Sequence, residues 1–211
     1  MSTKIFCDIA ELKQIQKFHK KKIVKGFTTN PTLIRRAGAK NYKEYSLKIL
    51  KICKKKPVSL EVFADNNIEM SKQAFKISSL GKNVYVKIPV VNSKGKFTGK
   101  VIKELNHKNV KLNITAVYSS KQTKKILQSI NKTTKVIISI FVGRAGDAGK
   151  DPIPEIKKSI YLAKKFKNVE VIWASVREPY NNLHAKQLGC KIITIPPNRI
   201  KKIEKLGKKW N

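Results

Sequence analysis

Negative charge is scarce in this sequence. Against 47 lysines and arginines stand only 13 aspartates and glutamates, a formal charge of +34. An excess of that size raises nucleic acid as a partner. Arginine is scarce as well, however: Arg35, Arg36, Arg144, Arg177 and Arg199 complete the set. Specific phosphate and base recognition leans on arginine's bidentate fork. The lysines fall instead on polar helix faces, as at Lys48, Lys51, Lys54 and Lys55, without interleaved aromatics on which bases would stack. No specific nucleic-acid partner is expected, only nonspecific attraction to polyanions at low salt.

Cysteine is limited to Cys7, Cys53 and Cys190, an odd and widely spaced set with no CxxC pair and no histidine cluster nearby. That excludes a disulfide framework and the familiar metal spacings, and it fits small buried hydrophobes in a reducing compartment. No apolar run approaches a membrane span, and Met1-Ser2-Thr3-Lys4 leads into a short strand-like run rather than a signal-peptide core. A cytoplasmic location without a membrane partner is expected. Neither GxGxxG nor GxxxxGK[ST] occurs, so the usual nucleotide-binding turns are absent. No Pro/Gly/Ser-rich linker divides the chain, and residues 1–211 are expected to form one domain.

What the chain has in abundance is alternation. Strand-like runs at 4–8, 26–31, 58–63, 84–90, 111–117, 136–142, 169–175 and 191–195 are each followed by a helical pattern. Those helices include 10–20, 42–55, 68–80, 98–105, 119–130 and a last one over 200–210, with Ser119 or Ser120 as a plausible N-cap. Eight such units, at a repeat of roughly 25 residues, imply a parallel sheet with helices outside and favour an α/β fold of the (β/α)₈ barrel type.

In such a barrel chemistry sits at the C-terminal strand ends. Strand one ends in Asp8, strand two in Thr28-Thr29-Asn30, and strand three passes through Glu61. Strand four, Val84-Tyr85-Val86-Lys87-Ile88-Pro89-Val90, carries a lysine in an otherwise apolar run. Strand five offers Asn113 and Thr115, strand six Ser139 with Arg144 beyond it, and strand seven ends in Ser175-Val176-Arg177. Strand eight closes with Ile195-Pro196-Pro197 and offers little. Each residue has a plain structural alternative: Lys87 as a snorkelling surface charge, Asp8 as an N-cap, Asn30 as an Asx turn, Thr115 as a β-former, Glu61 as a rim charge. Taken together, seven strands place polar groups that would converge in one volume.

The set has a chemical logic. A lysine inside an apolar strand costs several kcal/mol unless it loses its proton or finds partners, and an uncharged amine is a nucleophile for carbonyl carbon. It adds to a ketone to give a carbinolamine and then an iminium, an electron sink for breaking the adjacent carbon–carbon bond. Asp8 and Glu61 suit the proton transfers, directly or through a water held by Thr115. Arg144 and Arg177, with Ser175, suit an anionic substrate end, and their positive field would favour the uncharged form of Lys87. A phosphorylated sugar is the expected substrate.

Six segments carry a family resemblance: Phe6-Cys7-Asp8, Gly26-Phe27-Thr28-Thr29-Asn30-Pro31-Thr32, Val84-Tyr85-Val86-Lys87-Ile88-Pro89, Asn113-Ile114-Thr115, Ser139-Ile140-Phe141-Val142-Gly143-Arg144 and Trp173-Ala174-Ser175-Val176-Arg177. In this order they resemble the small transaldolase family, which includes fructose-6-phosphate aldolase. The resemblance implies a (β/α)₈ barrel without metal or organic cofactor. Lys87 would be the Schiff-base residue and Asp8 the proton-transfer group, with Glu61 and Thr115 orienting a water. Thr29, Asn30, Asn113, Ser139 and Phe141 would line the substrate, and Arg144, Ser175 and Arg177 would take its phosphate. The substrates would be a phosphorylated ketose and a phosphorylated aldose.

Glu61, Phe141, Arg177, Asn113 and Ser139 resemble the transaldolase branch; aldolase members resemble Gln, Tyr and Lys at the first three. Phe141 has no proton to give an intermediate, which favours transfer to an acceptor over release. Aldolase-like cleavage, and sugar-phosphate or polyanion binding without turnover, are the alternatives. Gly146 to Pro152 suggests a loop of its own. After Pro197 only Asn198–Asn211 remain, fewer residues than members usually carry there. That tail is associated with packing between subunits in decameric members, so the shortening leaves the subunit number open; a homo-oligomer is expected.

Overall fold

β-branched residues make up half or more of five of the eight short strand segments, and each of the eight is followed by a helical one, so the chain folds as strand then helix throughout. The structure, a computed structural model, describes residues 2–205. In order it runs β1 (Lys4–Asp8), α1 (Leu12–His19), β2 (Val24–Thr28), α2 (Pro31–Arg36), α3 (Tyr42–Ile52), β3 (Val58–Glu61), α4 (Asn67–Ser78) and β4 (Val84–Pro89). It continues α5 (Gly99–His107), β5 (Leu112–Val117), α6 (Ser120–Ser129), β6 (Val136–Phe141), α7 (Val142–Asp147), α8 (Ile153–Ala163), β7 (Val169–Ala174), α9 (Asn181–Gln187), β8 (Ile192–Ile195) and α10 (Pro197–Ile203). The eight strands close in sequence order into a barrel, each pair parallel, with β8 joining β1 through Lys4 beside Ile192 and Cys7 beside Ile195. This is the expected (β/α)₈ barrel. The last part of the helix expected over 200–210 lies outside the described residues.

Helix starts follow side-chain chemistry. Asn30, Asn41 and Asn66 each accept a hydrogen bond from the amide three residues on, and Ser119 forms a capping box with Gln122. Asn30 explains one difference from the sequence reading. The second strand runs from Val24 to Thr28 rather than from Gly26 to Pro31, because Asn30 as cap and Pro31 at the first helical position start α2 at once.

Alternation along the strands builds two cores. Outward residues such as Val86, Ile88, Leu112 and Ile114 pack beneath the helices in one large cluster. Inside the barrel a smaller layer of Phe6, Ile137, Ile172, Ala174 and Ile192, flanked by Tyr85 and Phe141, closes the lumen. Gly26 makes room for that layer, since a Cβ there would stand 2.6 Å from the Phe6 ring. Cys7, Cys53 and Cys190 are buried and free, and burial raises their thiols, Cys190 to about 12. Among the described residues no helix is long and apolar enough to cross a membrane.

At the upper rim α7 presses against the end of β7. A Cβ on Gly143 would lie 1.7 Å from the Ser175 carbonyl oxygen, and Ser175 itself holds a left-handed backbone at φ 64°. Because the obstacle is backbone, Gly143→Ala should cost at least about 3 kcal/mol in chemical denaturation. Gly146→Ala, in open space on the same helix, should be neutral or stabilise by up to about 1 kcal/mol. Equal stabilities for the two variants would contradict this contact.

Candidate active site

Parity fixes which side chains enter the barrel. Lys87 on β4 is flanked in register by Glu61 on β3 and Asn113 on β5, so all three point into the lumen at the C-terminal end. Asp8 on β1 stands beside Thr28 on β2. Of these, all but Glu61 line a cavity of about 290 Å³ that also takes in Asn30, Thr115, Ser139 and Phe141, together with Arg144, Ser175, Arg177 and Arg199.

Lys87 is 7% exposed. Its amine donates to the Thr29 carbonyl at 2.8 Å and meets Glu61 Oε2 at 3.0 Å. These partners answer the cost of placing the group in a barrel interior. The nearest charge is thus a carboxylate, where the sequence reading looked to the field of two arginines. Asp8 accepts from the Thr28 hydroxyl at 2.7 Å, and Thr28 lies 2.5 Å from the Thr194 hydroxyl. Since Thr28 gives its only proton to Asp8, Thr194 must supply the proton of the second bond. Burial raises the Asp8 carboxyl above its ordinary value; Lys87 and the Thr28 bond hold it back, and the Glu61 charge adds to the rise. A carboxyl so placed holds a proton more readily than an exposed aspartate and is able to give and take one.

Asn113 is fully buried and fixed at both ends of its amide: Nδ2 donates to the Ser59 hydroxyl at 2.9 Å and Oδ1 accepts from Ser139 at 2.6 Å. Thr115 Oγ1 is buried and has no hydrogen-bond partner, beside Ala116 at φ 56°. An unpartnered hydroxyl lining a polar cavity is a ready place for a water or a substrate oxygen. Asn30 lines the cavity while its Oδ1 caps α2, which leaves its amide nitrogen for a ligand.

Thr29 behaves differently. It is fully buried and its hydroxyl donates to the Ser59 carbonyl at 2.8 Å, so it supports Lys87 from behind and is not among the cavity-lining residues. Glu61 likewise reaches the site through Lys87 rather than as part of the lining. At the arginine end, the Arg144 guanidinium stacks 4.9 Å from the Phe141 ring centroid. Arg177 is gripped by Asp147, with Nε 3.0 Å from Oδ1, and also donates to the Ser175 carbonyl at 3.1 Å. Arg199, from the start of α10, donates through Nε to the Arg177 carbonyl at 2.6 Å.

Sequence reasoning named Thr28 only as part of a strand end and missed Arg199, Thr194 and Ser59 as members of the site. Thr28 and Ser59 had a signal, since they share inward parity with neighbours of Asp8 and Glu61. Arg199 had none, following a strand that ends in two prolines. Among the described residues no group of three or more His, Cys, Asp or Glu is placed to hold a metal ion.

A closed parallel barrel with a buried lysine at its C-terminal end defines an α/β barrel with a lumenal site, and solved structures share its architecture. One described as "Native KDPGal structure" aligns with a TM-score of 0.60 at 8% identity, covering 92% of this chain and 83% of that one. The family model described as Transaldolase/Fructose-6-phosphate aldolase matches residues 5–210, and the chain belongs to that family. Relatives named "Probable transaldolase" include one from Thermoplasma volcanium, 37% identical over 92% of this chain and 84% of its own length. Another, from Dehalococcoides mccartyi, is 34% identical over 92% of this chain and 86% of its own length. One from Sulfurihydrogenibium sp. is 36% identical over 96% and 89%.

Because the folded-state value of Asp8 lies above its unfolded one, the native chain binds more protons between the two, and stability falls as pH rises through that interval. Asp8→Asn removes the group that causes the fall. Thermal unfolding should therefore show the variant more stable than wild type at neutral pH, with the gap closing as pH drops below about 4. A gap that does not change with pH would refute the assignment.

Proposed function

We propose that the protein transfers a three-carbon dihydroxyacetone unit between sugar phosphates through a Schiff base on Lys87. In full, sedoheptulose 7-phosphate and glyceraldehyde 3-phosphate give erythrose 4-phosphate and fructose 6-phosphate, a reaction of the pentose phosphate pathway. The observation that carries the reading is the buried amine of Lys87 at the inner wall of a polar cavity, held between the Thr29 carbonyl and the Glu61 carboxylate. Membership of the transaldolase/fructose-6-phosphate aldolase family supports it.

Glu61 stands where it can accept the proton that Lys87 must lose before its nitrogen attacks the ketone carbon of the donor. Loss of water from the carbinolamine gives the iminium, and Glu61 with the open hydroxyl of Thr115 would position that water. Asp8 takes the proton from the hydroxyl next to the breaking carbon–carbon bond, and the bonding pair passes to the Lys87 nitrogen as an enamine. The aldose phosphate then leaves. The enamine carbon attacks the acceptor aldehyde, Asp8 returns its proton to the new alkoxide, and water releases the ketose from Lys87. Phe141 offers the enamine no proton, so the intermediate waits for an acceptor. At the far end Arg144, Ser175 and Arg199 hold phosphate, with Arg177 partly neutralised by Asp147.

Borohydride reduction with fructose 6-phosphate should leave a covalent three-carbon adduct that mass spectrometry locates on Lys87. An unlabelled wild type, or equal labelling of Lys87→Ala, would sink the proposal. With the acceptor omitted, Phe141→Tyr should release free glyceraldehyde 3-phosphate from fructose 6-phosphate faster than wild type. Equal or slower release would remove Phe141 from the account of transfer. Arg199→Ala should raise KM for phosphorylated substrates about tenfold or more with a smaller change in kcat, the pattern of a lost grip common to ground and transition states. An unchanged KM would exclude Arg199 from the phosphate end.

A further inference from the structure

The alternation that gathers Asp8, Lys87 and Asn113 at one end of the barrel also decides what faces inward at the other. There the strand starts surround a bowl of about 1260 Å³, lined among the described residues by ten lysines and a single carboxylate, Glu170. Glu170 is already engaged, 2.7 Å from the Lys4 amine. Lys111 and Lys135 stand side by side, since Leu112 pairs with Val136 and the Leu112 amide donates to the Lys135 carbonyl. Lys111 shares the inward face of Asn113 and Thr115, is half-buried, and lies 5.4 Å from the Tyr85 ring centroid while donating to the Lys82 carbonyl. Burial, and then the charge of Lys135, push its pKa below the ordinary lysine value. Like charges gathered in a concavity repel, and among the described residues Glu170 is the one carboxylate in the lining.

We propose that this N-terminal bowl is a binding site for a compact anion bearing several phosphate groups. Ammonium groups are compact point charges that accept phosphate oxygens from many directions, without the planar pairing that arginine imposes. Even with Lys4, paired with Glu170, and Lys191 set aside, the lysines around this one hollow call for more negative charge than a single phosphate carries. The hollow is closed below by Phe6 and Tyr85, so it receives a short anion rather than the side of a duplex. Phe6 also separates it from the candidate active site: Lys4 and Asp8 both face inward on β1, four residues or about 13 Å apart. The two anion sites are therefore distinct, and this one does not depend on the proposed reaction.

Inorganic tripolyphosphate is the probe, titrated calorimetrically into the full chain at fixed ionic strength. Lys111→Gln/Lys135→Gln should weaken binding about tenfold or more. Lys48→Gln/Lys51→Gln, which removes the same charge from α3 outside the bowl, should change it by less than about twofold. Arg144→Ala should leave this site intact, and Glu170→Gln should tighten it by removing the opposing carboxylate. Turnover of sugar phosphates should survive in the Lys111/Lys135 pair. The proposal is overturned if tripolyphosphate does not bind, if monophosphate binds as tightly, or if the α3 pair weakens binding as much as the bowl pair. It is also overturned if Arg144→Ala abolishes binding, which would place the anion in the active site, or if a short single-stranded RNA binds tightly and tripolyphosphate fails to displace it. Should the Lys111/Lys135 pair fail to fold, Glu170→Gln decides: equal or weaker binding refutes the site.

Discussion

A closed barrel must send alternate side chains of every strand into a lumen too narrow to hold them all, and nearly everything else in this protein follows from that restriction. Small residues must face large ones, as Gly26 faces Phe6. The middle of the lumen takes an apolar layer, which leaves polar groups at the two mouths. The C-terminal mouth is small and mixed in charge, with lysine and carboxylates interleaved; the N-terminal mouth is wide and almost wholly cationic. One geometric rule thus yields two polar mouths of different character.

The polar end is tolerated because its groups satisfy one another in an order set by strand register. Glu61, Lys87 and Asn113 are in register across β3, β4 and β5, so the lysine meets a carboxylate without any loop having to reach for it. Asn113 is locked between Ser59 and Ser139, and Asp8 hangs on a hydroxyl relay through Thr28 to Thr194. Such cross-strand support holds side-chain geometry more firmly than loops do. The exception is Thr115, whose hydroxyl is left without a protein partner where a small oxygen would fit.

Much of this was legible in the sequence because period-two alternation and strand ends are local properties. Asp8, Lys87, Asn113, Ser139 and Arg144 could be placed at one end once eight units had been recognised. What depended on parity was blurred: Thr28 faces the site, while Thr29 turns away and holds Lys87 through its carbonyl. What depended on tertiary approach was invisible. The grip of Asp147 on Arg177 joins residues 30 apart in the chain, and Arg199 arrives on a helix after a strand that seemed empty. The lysines of the N-terminal mouth, Lys4 and Lys111 among them, stand at the starts of strands in the sequence reading and were not grouped there, because strand starts carry no marker of the barrel's other opening. Only closure of the sheet brings them round one hollow.

The contact between Gly143 and the Ser175 carbonyl bears on how this rim can diverge among descendants of the chain. A helix start and a turn that touch through main chain cannot drift apart one at a time: a side chain at 143 requires the turn at 175 to move, and that turn already sits in a left-handed conformation that few residues adopt. The spacing between the segments that carry Arg144 and Arg177 is therefore written in peptide backbone. Any change in that spacing has to move both segments together, which makes it slow to evolve even where every side chain around it is free to vary.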